Sequence, residues 1–170
     1  MDPTKLGIHL TTVDSDHYCY GDSNDRLSIQ SIAKDLFLTL ALKIMEKELW
    51  HSVSVEPSVA AFNSLVQLEY EKGISRNPFI NAVAIVICDI LVSHLKNPKT
   101  ELLKFIRKSS DILSIGYCST IVESEKETGY RNFALTNFMK RFGNIHNEVD
   151  VVLNLYFQLS SIEMSCKELS

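Results

Sequence analysis

Ser31 and Lys34 stand three residues apart in a chain of 170. At that spacing two side chains share one face of a helix, so a hydroxyl and an amine can meet. A serine hydroxyl needs a base to attack an amide at neutral pH, and a lysine serves only if its pKa falls. Desolvation and the positive end of a helix dipole both favour the neutral amine. The pair therefore has the residue types of a serine acyl-transfer centre. Alone, Ser-x-x-Lys is a common coincidence, and Ser93 and Lys96 repeat it.

The stretch that must position the pair is 27–46, LSIQSIAKDLFLTLALKIME. It opens polar and becomes apolar almost all round, through Leu36, Phe37, Leu38, Leu40, Ala41, Leu42 and Ile44. A helix without a wide polar face belongs inside a sizeable protein. Residues 79–95 form a second strongly apolar helix, with Pro78 suited to a first helical position and Asn97-Pro98 as its stop. Residues 6–13 alternate Leu6, Ile8 and Leu10, turn at 14–16, and return through 17–20, which reads as a β-hairpin. Residues 24–28 read as a loop.

Further along, 46–53 reads as a short helix carrying Trp50, and 62–70 as a loop or helical turn. Thr100 can cap a helix to about Lys108. Residues 119–127 and 130–141 read as helices split near Thr128-Gly129. Residues 148–159 place Val149, Val152, Leu153, Tyr156 and Leu159 at helical spacing. Ser165 and Glu168 form a capping-box pattern that announces one more helix.

Composition bounds the class. The chain is 45% hydrophobic and 22% charged, with a formal charge of −4 and no Lys/Arg block. That is ordinary for a globular domain and argues against nucleic acid as the main partner. Cys19, Cys88, Cys118 and Cys166 are scattered with no Cys-x-x-Cys. Reduced thiols of a cytoplasmic protein are expected rather than a disulfide frame or a zinc site. The start, MDPTKLGIHL, has no signal-peptide pattern. The longest apolar run, 82–87, is far short of a membrane span.

Several stretches together resemble the serine-dependent glutaminase family, which has a β-lactamase-like fold. They are LSIQSIAK at 27–34, VEPS at 55–58, FNSLVQLE at 62–69, RNPFINAVAIVICDIL at 76–91, SEKETGYRNFAL at 124–135 and MKRFGNIHNEVDVVLNLYFQLSSIEMSC at 139–166. They occur in the family's order, at family-like spacing and closest to bacterial members. The resemblance implies an α+β fold, of which residues 1–170 would be a partial domain, mostly helical beside the hairpin. Longer members carry a preceding segment, and a later part with further strands and a Lys-Ser-Gly motif that supplies part of the oxyanion hole.

The resemblance also implies the chemistry. Ser31 would attack the side-chain amide carbon of L-glutamine, Lys34 would take its proton, and water would release L-glutamate from a glutamyl ester. Asn81, Glu125 and Asn132 match substrate-binding positions, and Tyr156 an active-site tyrosine. No metal and no organic cofactor are implied, and a homo-oligomer is. The residue types suit these roles: a carboxylate holds an α-ammonium, amides bond a carboxylate and an amide, and a phenol donates a proton. Glu125 and Asn132 are two helical turns apart and would share a face on one continuous helix. Taken singly, each residue also reads as an ordinary core or surface group. Two other readings stay open: a β-lactamase-like serine amidohydrolase with another substrate, and a non-catalytic helical interaction protein. Ser54, Val59 and Val83 stand where the family usually has glycine. Val83, in NAVA at 81–84, is expected to overpack its helix at about 1–3 kcal/mol.

Overall fold

The computed structural model describes residues 2–57 and 65–170. Val59 and Phe62, with the rest of 58–64, lie outside the described residues.

Strands β1 (Gly7–Thr11) and β2 (His17–Gly21) pair antiparallel, Gly7 facing Gly21 and Thr11 facing His17. This is the expected hairpin. It is not the only sheet. β3 (Leu27–Ser28), β4 (Gly116–Tyr117) and β5 (Ile162–Met164) form a second sheet in the order β3-β5-β4, antiparallel throughout. Residues 27 and 28 are therefore strand where a loop was expected. Pieces of two or three residues are too short to show the period-two alternation by which a strand is recognised.

Ser31 lies in a 3-10 turn, Gln30–Ile32, and helix α1 runs Ala33–Met45. The apolar body of α1 has an exposed edge after all: Asp35, Thr39 and Lys43, at i, i+4 and i+8, face outward. Its inner side buries Ala33, Lys34, Phe37, Leu38, Leu40 and Ala41. Glu46, in the left-handed region at φ 50°, ends α1. The short helix expected to carry Trp50 is a second 3-10 segment, Glu46–His51. Helix α2 is Leu65–Tyr70.

Helix α3 (Asn81–His94) is the centre of the core, with every residue from Ala82 to Leu91 buried. It begins three residues after Pro78, because Ile80 is extended and acts as its N-cap. Val83 is fully buried and the helix runs through it unbroken. Helix α4 (Pro98–Ser110) is capped by Asn97, whose Oδ1 accepts from the Thr100 backbone N–H at 3.2 Å. Thr100 is thus held by the cap rather than acting as one, and Pro98 takes the first position that needs no donor.

Helices α5 (Ser119–Thr128), α6 (Tyr130–Arg141) and α7 (Val149–Ser160) follow the expected spans closely. Gly129 separates α5 from α6, so Glu125 and Asn132 stand on two helices rather than one. A Cβ at Gly129 would meet Phe157 Cζ at 2.5 Å and the Glu125 carbonyl oxygen at 2.9 Å, which is why glycine stands there. α3 packs against α1, α6 and α7, and α7 packs also against α4 and α5. The chain closes with α8 (Cys166–Leu169), which carries the expected capping box of Ser165 and Glu168. α8 lies against β1. The architecture is α+β, a helical body with two small sheets.

Candidate active site

Three short attachments fix the turn that carries Ser31. The Ile29 backbone N–H donates to the Ile162 carbonyl at 2.9 Å, and the Ser28 hydroxyl to the Ser160 carbonyl at 2.7 Å. The turn itself packs on α7. Gln30, immediately before Ser31, has φ 47°. A non-glycine residue in this region is uncommon, and its strain is tolerated only where surrounding bonds hold it. The chain thereby turns sharply, leaving the Ser31 side chain exposed and sending Lys34 inward.

Lys34 is 5% exposed. Its ammonium donates to the Asn81 Oδ1 at 2.8 Å and to the Phe79 carbonyl at 3.1 Å. Burial lowers its pKa from an ordinary 10.5 to about 8. Desolvation accounts for this, the first of the two causes expected from sequence. Ser31, Ile32, Lys34, Asp35 and Phe79 line one open cavity of about 460 Å³. Asn81 Nδ2 in turn donates to Asn132 Oδ1 at 3.4 Å. A line of donors and acceptors thus runs from Lys34 through α3 to α6.

Tyr156, on α7, is buried at 6% exposure, its ring edge-on to Phe157 at 5.8 Å. Burial, with Cys88 and the Glu125 carboxylate adding, pushes its phenol up, so it remains a proton donor at neutral pH. Glu125 is half-buried on α5 and acts on Tyr156 through its charge. Ser31, Lys34, Asn81 and Asn132 thus gather as one group, with Tyr156 and Glu125 as a second. Among the described residues no hydrogen bond ties the second group to Lys34.

The sequence reasoning missed two features of the site. The Phe79 carbonyl is a backbone acceptor that no side-chain type announces. Asp35 lines the cavity and was visible as an acid in the first turn of the helix. The repeat of the motif at Ser93 is structural: its hydroxyl accepts from Asn147 Nδ2 at 2.7 Å and donates to the Asp89 carbonyl at 3.0 Å. Lys96 lies past the end of α3. Ser54, at a family glycine position, does not have positive φ, and its N–H donates to the Ser75 carbonyl at 3.0 Å.

The sequence profile of the family described as Glutaminase matches residues 1–170. The glutaminase of Saccharophagus degradans is 65% identical over 170 residues, which is all of this chain and 55% of that protein. The glutaminase of Christiangramia forsetii is 50% identical over the same length, 56% of that protein. The chain thus spans little more than half the length of the curated relatives it matches. A crystal structure of a probable glutaminase from Bacillus subtilis superposes with a TM-score of 0.86 at 30% identity, covering 97% of this chain and 54% of that one. The fold, α+β and β-lactamase-like, is shared with this solved glutaminase. On the match over its full length, this chain belongs to the glutaminase family.

Proposed function

We propose that this chain contributes the nucleophile and base of a glutaminase that hydrolyses L-glutamine to L-glutamate and ammonia. The observation that carries the reading is a buried lysine with a pKa near 8 that shares a cavity with an exposed serine. Lys34, when neutral, takes the Ser31 proton as Oγ bonds to the side-chain amide carbon. The tetrahedral adduct collapses as Lys34 passes that proton to the departing ammonia, with the Tyr156 phenol relaying it. Water then attacks the glutamyl ester, giving a proton to Lys34, which hands it to Ser31 Oγ as L-glutamate leaves. Asn81 and Asn132 offer amides to the substrate's carboxylate and side-chain amide, and Glu125 offers a carboxylate to its ammonium. The same reading places the protein in the cytoplasm, as an assembly of like copies, using neither metal nor organic cofactor.

A second reading is favoured by Val83, which fills a fully buried position where the family usually has glycine. It is a non-catalytic interaction protein built on a glutaminase scaffold. Ammonia release from L-glutamine by the purified chain decides between them, with Ser31→Ala and Lys34→Ala as controls. Release abolished by Ser31→Ala supports the enzyme. No release from folded protein favours the second reading. Release unaffected by Ser31→Ala removes Ser31 as nucleophile, and turnover of other amides in preference to glutamine points to a different amidohydrolase.

A further inference from the structure

A groove of about 840 Å³ lies between α1 and α4, away from the Ser31 cavity. Its floor is apolar: Leu40 is buried, and Ile44, Leu95 and Phe105 are half-buried. Its rim carries Lys43, Lys96, Lys104 and Lys108, all exposed. The ion pairs among the described residues use Lys5, Arg26, His51, Arg76 and Lys140, and none of these four lysines. The one acid of the rim, Glu101, accepts from the Asn97 backbone N–H at 3.2 Å. The chain as a whole is acidic, with a formal charge of −4, so the groove is a positive strip on a negative molecule.

We infer that this groove docks an acidic amphipathic helix of a partner protein. The layout of the charges favours a helix over a compact anion. The lining of α4 runs from Asn97 to Lys108, about 16 Å at helical rise. Lys104 and Lys108 are one turn apart on that wall, and Lys43 stands on the α1 wall. A small anion is held by donors that converge on it. These ammonium groups are instead strung out beside an apolar floor, the arrangement in which a helix lays its apolar face into a groove while its flanking acids meet the rim. A second copy of the chain fits less well. Its most acidic helix, α5, turns Ile121 and Val122 inward and presents no exposed apolar stripe.

The test titrates the folded 170-residue chain against a fluorescent helical peptide of about 15 residues. The peptide carries Leu on one face and Glu at i, i+4 beside it; a twin replaces each Glu with Lys. Saturable binding of the acidic peptide is expected, weaker at high salt, and absent with the twin. Lys104→Glu combined with Lys108→Glu is expected to weaken binding by about tenfold or more, because like charges then face each other. Lys104→Arg combined with Lys108→Arg is expected to keep it. Both positions are exposed, and circular dichroism checks that each variant folds. The inference is overturned if the acidic peptide does not bind, or binds the Glu variant equally. It also fails if anionic phosphatidylglycerol vesicles bind through these lysines while the peptide does not, or if the groove proves to join two copies of the chain by sedimentation. None of these readouts uses glutamine turnover.

Discussion

Asn81 makes the most informative single contact of the candidate site. Its Oδ1 accepts from Lys34 and its Nδ2 donates to Asn132. Replacing the amide with an isosteric carboxylate puts a negative charge 2.8 Å from the amine, which favours the ammonium form. Lys34 must be neutral to accept the serine proton, so the rate at fixed substrate is expected to rise with pH through about 8 and level off above it. Asn81→Asp is expected to move that limb upward, toward the ordinary lysine range, whereas loss of substrate binding alone would lower the rate without moving it. The check is the pH dependence of kcat/KM for both forms, in the chain or in any longer protein that contains it. An unmoved limb would remove Lys34 as the titrating base.

At the scale of elements, the positioning of the helices depends on a group outside the candidate site. Asp89 is 1% exposed on α3. Its carboxylate accepts from the backbone N–H of His146 at 3.0 Å and from the backbone N–H and Nδ2 of Asn147, both at 2.9 Å. These bonds staple the connection between α6 and α7 onto α3, and so set the distance between the helices that carry Asn81, Asn132 and Tyr156. Asp89→Ala leaves these donors without their acceptor and is expected to cost about 3 kcal/mol, read as a lowered urea midpoint. Asp89→Asn, which keeps one acceptor oxygen, is expected to lose less. Equal stability of the alanine variant would show that water replaces the carboxylate there. A lone aspartate in a run of aliphatic residues is the sequence signal for this staple. Its partners could not be read, because they lie 57 and 58 residues away.

At the scale of the whole molecule, the hairpin leaves one apolar side uncovered. Its inner side meets α8, where His9 and Thr11 hydrogen-bond to Ser170 and Cys166 Sγ donates to the Gly7 carbonyl. Its outer side pairs Ile8 with Tyr20 and Leu10 with Tyr18 across the strands, each of the four more than half exposed. An apolar face of this kind, on a hairpin that pairs with no further strand among the described residues, favours association. Sedimentation of the purified chain is expected to show concentration-dependent association. Leu10→Lys with Tyr18→Glu keeps a favourable cross-strand pair and is expected to reduce that association. Unchanged sedimentation of the double variant would place the contact elsewhere.

Much of this was legible in the chain itself. The hairpin, the two apolar helices and the run from α5 to α7 follow from periodicity and punctuation, since amphipathic spacing and Gly or Pro breaks act locally. The family followed from ordered stretches along most of the length. What periodicity could not give was anything resting on contacts between distant residues. The sheet of β3, β4 and β5 joins pieces of two or three residues drawn from positions 27, 116 and 162, each stabilised by its neighbours and not by its own pattern. The start of α3 at Asn81 rather than Pro78 depends on an extended Ile80, which turns the Phe79 carbonyl toward Lys34. Spacing alone allowed Lys34 to meet Ser31. The tertiary structure decided that the amine is buried, is held by α3, and therefore has a lowered pKa, because desolvation depends on what surrounds a group in space and not on what precedes it in the chain.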